Sequence, residues 1–324
     1  MGSVLKRSLL AACVAVGCGT LTAAAADYPT RPIRVITNTS AGGLSDIFAR
    51  AAGQQLQKDW GQPLIVDNRP GGSQNVGANA CAQAANDGYT ICILNADATI
   101  SNEFLFKHLP FNPERDFVPV TNLFHLLQTL VINSSLAAKT VDELIAASKA
   151  KPGTLSYLTA SPALALYMER LKTDKGADWV RVPFRGGGDA VNAIMNGSTP
   201  IGLIGIGNVL GHLTAGDMTA LVMLNNIHFP QYPNIPTLEE TGYHGPASQS
   251  WYGLFVPAGT PKPIVDKLAA EFAKIVDEPG FRDKTLLARG LVPAINTPAE
   301  FAAEIDKERV VAKQVVKDAG LEPQ

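Results

Sequence analysis

The sequence predicts an α/β fold in two lobes, each built on a mainly parallel sheet flanked by helices. Three observations carry this expectation. Short apolar runs alternate with helical patterns across glycine-rich turns, the arrangement of strands joined by crossover helices. The chain has 324 residues, enough for two lobes with cores of their own. Hydrophobic residues make up 46% and charged residues 17%, a folded composition and not a disordered one.

The first 26 residues have the form of an export signal. Lys6 and Arg7 give a basic end, residues 9–16 a short apolar core, and Ala24, Ala25 and Ala26 precede a cut at Asp27. That core falls short of the ~18–20 apolar residues of a membrane span. Cys18 is a poorer candidate for lipid attachment, because Ala15 stands where a larger aliphatic residue is usual. Residues 33–36 form the first strand, and a helical pattern follows that Ser45 or Asp46 can cap. Residues 64–66 are a strand, Pro70-Gly71-Gly72-Ser73 opens a helix to Ala84, and residues 89–94 are a further strand. Residues 117–120 and 126–132 are extended and cross between lobes. The second series has helices at 141–149, capped by Thr140, 163–171 and 189–195, with strands at 155–159, 180–182, 201–204 and 220–224. Residues 251–256 return to the first lobe. Residues 264–276, 281–288 and 298–319 are helical, the last with mixed charges at the surface. The expected division is 27–126 with 227–324 as one lobe, and 127–226 as the other.

Loss of Lys6 and Arg7 with the signal takes the 27 basic residues to 25, against 29 acidic, a net charge of −4. Such a balance gives no footprint for nucleic acid or an anionic membrane. Cys81 and Cys92 remain in the exported chain, one on a helix and one on a strand. A disulfide is permitted there, but two buried free thiols are the favoured reading. His108, His125, His212, His228 and His244 lack metal spacing, and no nucleophile elbow or Walker motif occurs. The expectation is no catalytic residue, no metal and no cofactor.

Ligands of α/β sheets bind beyond the carboxyl ends of strands. Thr39, Ser40, Ala41, Gly42, Gly43, Ser45 and Asp46 follow the first strand and open a helix. Small residues and a helix N-terminus make a cradle for an anion there. Asn95 and Asp97, Thr159 with Ala160 and Ser161, and Phe184, Arg185 and Gly186 follow other strands. They offer hydrogen bonds without an evident nucleophile. Arg185 is a candidate for a bidentate grip on a carboxylate, and equally a surface arginine at a turn. Gly205, Gly207 and Asn208 belong to a GxGxxxG run, residues 205–211. An exported dinucleotide-dependent oxidoreductase is the minor reading of this run, because the next strand ends Leu224-Asn225-Asn226 without the acid that holds a ribose. A turn kept open for close backbone approach is the stronger one.

The ordered set of short motifs resembles the solute receptors of tripartite tricarboxylate transporters, the TctC-like or Bug family. Tyr28-Pro29-Thr30-Arg31-Pro32-Ile33 is similar to the family's opening, and Ala41-Gly42-Gly43 with Ser45-Asp46 to its ligand loop. Val66-Asp67-Asn68-Arg69-Pro70-Gly71, Asp87-Gly88-Tyr89-Thr90, and Trp251 with Gly253-Leu254-Phe255 and Pro257-Ala258-Gly259-Thr260-Pro261 also match. The resemblance covers essentially the whole exported chain. It implies a type II-like periplasmic-binding-protein fold with two crossover strands as hinge. It implies closure on a small carboxylate without catalysis, delivery to a two-subunit inner-membrane permease, and a monomer. Ser40 to Gly43 and Asp46 in one lobe, and Thr159, Ala160, Ser161 and Phe184-Arg185-Gly186 in the other, are the implied ligand residues. A ligand-sensing role with a signalling partner stays open beside transport.

Two departures from the family pattern narrow the expected ligand. Ser161-Pro162-Ala163-Leu164-Ala165-Leu166-Tyr167 is apolar where the family has polar residues and a His. Ile204-Gly205-Ile206-Gly207 lacks an expected Asp or Asn. Fewer polar partners suggest an apolar or aromatic body with carboxylate ends, a terephthalate-like dicarboxylate more than citrate.

Overall fold

The computed structural model of the chain describes residues 28–159, 162–182, 187–242, 250–318, 320 and 322–323. The expected signal segment, and Ala160, Ser161, Phe184, Arg185 and Gly186, lie outside the described residues.

Two sheets form the frame. The first contains β1 (Ile33–Thr37), β2 (Leu64–Asn68), β3 (Thr90–Asn95), β4 (Phe117–Leu126), β10 (Trp251–Pro257) and β11 (Leu291–Pro293), in the order β11-β4-β10-β3-β1-β2. The second contains β5 (Gln128–Asn133), β6 (Ser156–Leu158), β7 (Val180–Val182), β8 (Ile201–Gly205) and β9 (Met218–Met223), in the order β7-β6-β8-β5-β9. Each has a core of its own. Phe48, Phe124, Leu254, Leu268 and Phe272 fill one face of the first sheet, while Tyr157, Met168, Trp179 and Leu203 fill one face of the second.

Both sheets are mixed, which corrects the expectation of mainly parallel sheets. In the first, β1 pairs parallel with β2 and β3, but β10 runs antiparallel to β3 and β4, and β11 antiparallel to β4. In the second, β6 is parallel to β7 and β8, and β5 antiparallel to β8 and β9. The reason is the crossing itself. β4 leaves the first sheet and β5 enters the second within one residue, Leu127; β10 re-enters the first sheet from the same side. A strand entering where its neighbour leaves pairs antiparallel with it.

The helices follow the amphipathic pattern of the sequence. They are α1 (Leu44–Trp60), α2 (Asn75–Ala82), α3 (Asn102–Leu105), α4 (Val141–Ala150), α5 (Pro162–Lys175), α6 (Gly187–Met195), α7 (Leu210–Ala215), α8 (Lys262–Asp277) and α9 (Pro298–Asp318). Thr140 caps α4 as expected, its hydroxyl accepting from Glu143 N–H at 3.1 Å. α9 is more deeply docked than its charges suggest. Phe301 is fully buried against Trp251 and Phe255, and Glu308 accepts a 2.6 Å hydrogen bond from Trp251 Nε1.

Cys81 of α2 and Cys92 of β3 are joined in a disulfide, with Cα atoms 6.1 Å apart. The expectation of two free thiols is corrected. Both side chains are buried as expected, but the packing of α2 on β3 brings them within bonding distance.

Candidate ligand-binding site

Strand directions decide where the candidate loops point. β4 runs towards the crossing, and β1, β2 and β3 run the same way, so the loops after them open towards the second lobe. β5 runs away from the crossing, so β6, β7 and β8 end towards the first lobe. Residues far apart in sequence therefore face one interlobe space. Among those residues, Thr39, Ser40, Ala41, Gly42, Gly43, Asp97, Thr159, Gly205, Gly207 and Asn208 are described.

The loop between β1 and α1 is held by its own hydrogen bonds. Gly42 adopts φ +82°, a left-handed conformation that favours glycine. Its N–H donates to Asp46 Oδ2 at 2.8 Å, and Gly43 N–H donates to Ser40 O at 3.0 Å. Ser45 is buried, and its hydroxyl lies 2.6 Å from that of Thr39. Asp46 is paired with Arg50 across one helical turn, at 2.9 Å. Burial opposes ionisation of Asp46, but the Arg50 and Gly42 bonds outweigh it and hold the carboxyl below the usual range. The expectation that Ser45 or Asp46 caps α1 is corrected: the N-cap is Gly43, which makes no side-chain cap. Ser45 and Asp46 shape the loop from inside and present no free side chain to a ligand. Ser40, Ala41 and Gly42 are exposed beside the first-turn N–H groups of Leu44, Ser45 and Asp46, which have no partner within the helix.

Asparagines tie the neighbouring strand ends together. Asn38 Nδ2 donates to Asn95 Oδ1 at 2.8 Å, and Asn68 Nδ2 donates to Thr37 Oγ1 at 2.8 Å and Thr39 O at 3.2 Å. Asn95 Nδ2 donates to Gln74 Oε1 and, at 3.1 Å, to Asp97 Oδ2. Asn95 is buried, so it orients the wall while Asp97 is exposed on it. Asn102 extends the network to Asn75 Oδ1 at 2.8 Å and Ser73 O at 2.9 Å. Sequence reasoning missed Gln74, Asn75 and Asn102, and read Asn38 and Asn68 only as parts of longer motifs. The visible signal was an Asn at the carboxyl end of each of three adjacent strands, β1, β2 and β3.

Tyr252 and His125 stand at the crossing. Tyr252 pairs with Asn95 across β3 and β10, and its ring stacks on Phe124 with centroids 5.4 Å apart. Burial, with the nearby Asp97 charge, pushes its phenol up to about 12. Burial pushes His125 down to about 4, so it is neutral at pH 7.

Gly205, Gly207 and Asn208 have a structural role at the hinge. A Cβ on Gly207 would sit 2.0 Å from Arg289 O, and one on Gly290 would sit 2.5 Å from Gly207 N. Ile206 N–H donates to Leu127 O at 2.9 Å, and Asn208 Nδ2 donates to Gly205 O at 3.2 Å. The glycine run thus lets the lobes touch backbone to backbone. Thr159 is buried, its carbonyl 3.5 Å from Arg181 Nη2.

Several of the residues that suggested an apolar ligand wall pack inwards, while Ser161 lies outside the described residues. Leu164, Ala165 and Tyr167 are buried, with Leu164 and Tyr167 in the core of the second lobe, and Ile204 and Ile206 are buried beside the hinge. These five follow the interior of the lobe. A separate pocket of about 850 Å³ lies on the second lobe. In its wall Lys175 pairs with Asp142 at 2.8 Å and Arg170 with Asp318 at 3.3 Å. Among the described residues no group of three or more His, Cys, Asp or Glu is placed to hold a metal, and no helix is long and apolar enough to cross a membrane.

Residues 48–321 match the family model described as tripartite tricarboxylate transporter family receptor. The chain belongs to this family. Similar proteins include protein BugT of Bordetella pertussis, 30% identical over 296 residues, covering 90% of each chain. A Cupriavidus necator protein is 30% identical over 333 residues, covering 98% of this chain and 97% of its own. Among solved structures, an R. palustris protein with adipate is 26% identical with a TM-score of 0.76, covering 92% of this chain and 100% of its own. MatC of Rhodopseudomonas palustris with bound malate is 28% identical with a TM-score of 0.70, covering 89% and 100%.

Proposed function

We propose that this receptor works in the periplasm, closing on a small carboxylate and passing it unchanged to a two-subunit inner-membrane permease. The two lobes, expected as 27–126 with 227–324 and 127–226, move about the crossing at Leu127 and a return crossing beyond Leu238, because Phe229, Ile235 and Leu238 pack with the second lobe. The observation that carries this reading is the convergence of strand-end loops from both sheets on one interlobe space, with the uncapped first turn of α1 among them. Three N–H groups there have no helical partner, and the helix dipole favours a negative charge beside them. The adipate and malate of the two R. palustris relatives support a carboxylate. The monomeric state and the ligand contacts of Ser40 to Gly43, Thr159, Ala160, Ser161 and Phe184-Arg185-Gly186 belong to the same proposal.

The narrower reading, an aromatic dicarboxylate such as terephthalate, rested partly on residues that the core accounts for, Leu164, Tyr167, Ile204 and Ile206 among them. It enters the test as one member of a panel. A thermal-shift screen over aliphatic and aromatic mono-, di- and tricarboxylates is the direct experiment. At a hundredfold excess over Kd, a true ligand stabilises the fold by ~2.7 kcal/mol and raises the melting temperature. No shift with any carboxylate would sink the receptor reading. A winning aliphatic tricarboxylate would sink the aromatic one alone.

A further inference from the structure

Asp97 is an acid in a place expected to receive an anion. It follows β3 directly, at the end that opens on the interlobe space, and is exposed to solvent there. Its orientation is fixed through Asn95, which donates to its Oδ2 at 3.1 Å and is itself held by Asn38 and Gln74. The other first-lobe acids near these loops have their cations: Asp46 has Arg50, and Asp67 has Arg34 and Arg69. No cation among the described residues acts on Asp97. Protein crowds the group although solvent reaches it, so burial raises its pKa and the Asn95 bond only partly offsets this.

A carboxylate so placed is stabilised by a positive partner. A second ligand carboxylate in the same place meets a like charge instead. We propose that Asp97 determines specificity by pairing with a protonated nitrogen of the ligand, so that the preferred solute is an amino-carboxylate. This rests on the carboxylate reading above: the α1 end takes the carboxylate, and Asp97 takes the ammonium. Tyr252 lies beside Asp97 and its neutral phenol adds no competing charge.

Two matched series test it by calorimetric titration. They are hexanoate, 6-aminohexanoate and adipate, and 4-methylbenzoate, 4-(aminomethyl)benzoate and terephthalate. In the unmodified protein the ammonium-bearing member of a series should bind at least about tenfold tighter than its dicarboxylate. In Asp97→Asn that preference should vanish or reverse. The ranking in the unmodified protein is decisive even if the variant folds poorly. A dicarboxylate binding as tightly as its ammonium partner overturns the proposal. So does a dicarboxylate whose affinity falls as pH rises, because Asp97 would then be a protonated donor. If carboxylates bind but Asp97→Asn leaves the ranking unchanged, the specificity role falls and the carboxylate reading stands. If no member binds, the amino-carboxylate proposal falls, and the carboxylate reading falls with it only if the full thermal-shift panel is also silent.

Discussion

Gly42 and Gly43 were visible in the sequence as a turn, but the structure gives each its own reason. Gly42 needs a left-handed backbone, and a Cβ on Gly43 would sit 2.8 Å from Thr39 Oγ1. Any larger residue at 43 therefore strains the unliganded loop as well as the ligand contact, which makes such a variant a poor probe of binding alone. Glu308 is a cleaner probe of the fold. Burial, opposed by the Trp251 bond, raises its pKa to about 7, with Glu304 adding repulsion and Lys307 opposing it. Because the folded value exceeds the unfolded one, its contribution is full below about pH 4.5 and is lost as pH rises through about 7. A shift of this size corresponds to at most about 3 kcal/mol. Glu308→Gln keeps an acceptor for Trp251 and removes the charge. It should melt close to the unmodified protein at about pH 5 and higher at about pH 8; a lower melting temperature at about pH 8 would contradict this. Single residues were the least legible part of the sequence. Asp46 and Ser45 looked like ligand contacts because composition shows polarity but not direction, and their side chains turn inwards.

At the level of elements, most strands and helices were legible because their apolar periodicity matches the face they bury. Their pairing was not. Alternating strands and helices suggest parallel neighbours, and only the position of the crossing shows that β10 must run against β3 and β4. The glycine run at the end of β8 was legible as close backbone approach but not by what it approached, since Arg289 and Gly290 lie more than 80 residues downstream. Gly207→Ala should push the Arg289 backbone away, cost about 1–3 kcal/mol and weaken ligand affinity. Gly211→Ala, where a Cβ meets nothing within 4 Å inside α7, should be neutral or stabilising by up to about 1 kcal/mol. Equal effects of the two in denaturant melts would refute a hinge role for Gly207. The disulfide between Cys81 and Cys92 closes a loop of 11 residues in sequence separation and contributes about 3 kcal/mol in the chain-entropy model. It fixes α2 on β3, and with it the asparagine network at the strand ends.

Across the whole molecule, the crossings, the close approach of Gly207 to Arg289 and Gly290, and an exposed ion pair are among the contacts of the described residues that join the two lobes. Gln128 N–H donates to Asn225 Oδ1 at 2.7 Å, tying the outgoing and returning segments together. Arg170 and Asp318 meet at 3.3 Å between α5 and α9; an exposed pair of this kind contributes roughly 0–1 kcal/mol and hinders motion little. Such a frame suits hinge closure around a solute. The two-lobe plan and the family were legible in the sequence because many short motifs, each modest, occur in one order. The ligand was not, because residues such as Leu164, Tyr167 and Ile204, which depart from the pattern, are buried in the second lobe. Calorimetric titration of the exported chain with its best carboxylate and with that compound's primary amide tests the central claim most directly. A receptor gives a one-to-one isotherm for the acid, binding at least about a hundredfold weaker for the amide, and solute recovered unchanged. Equal affinity for acid and amide, or no heat with any carboxylate, would contradict it.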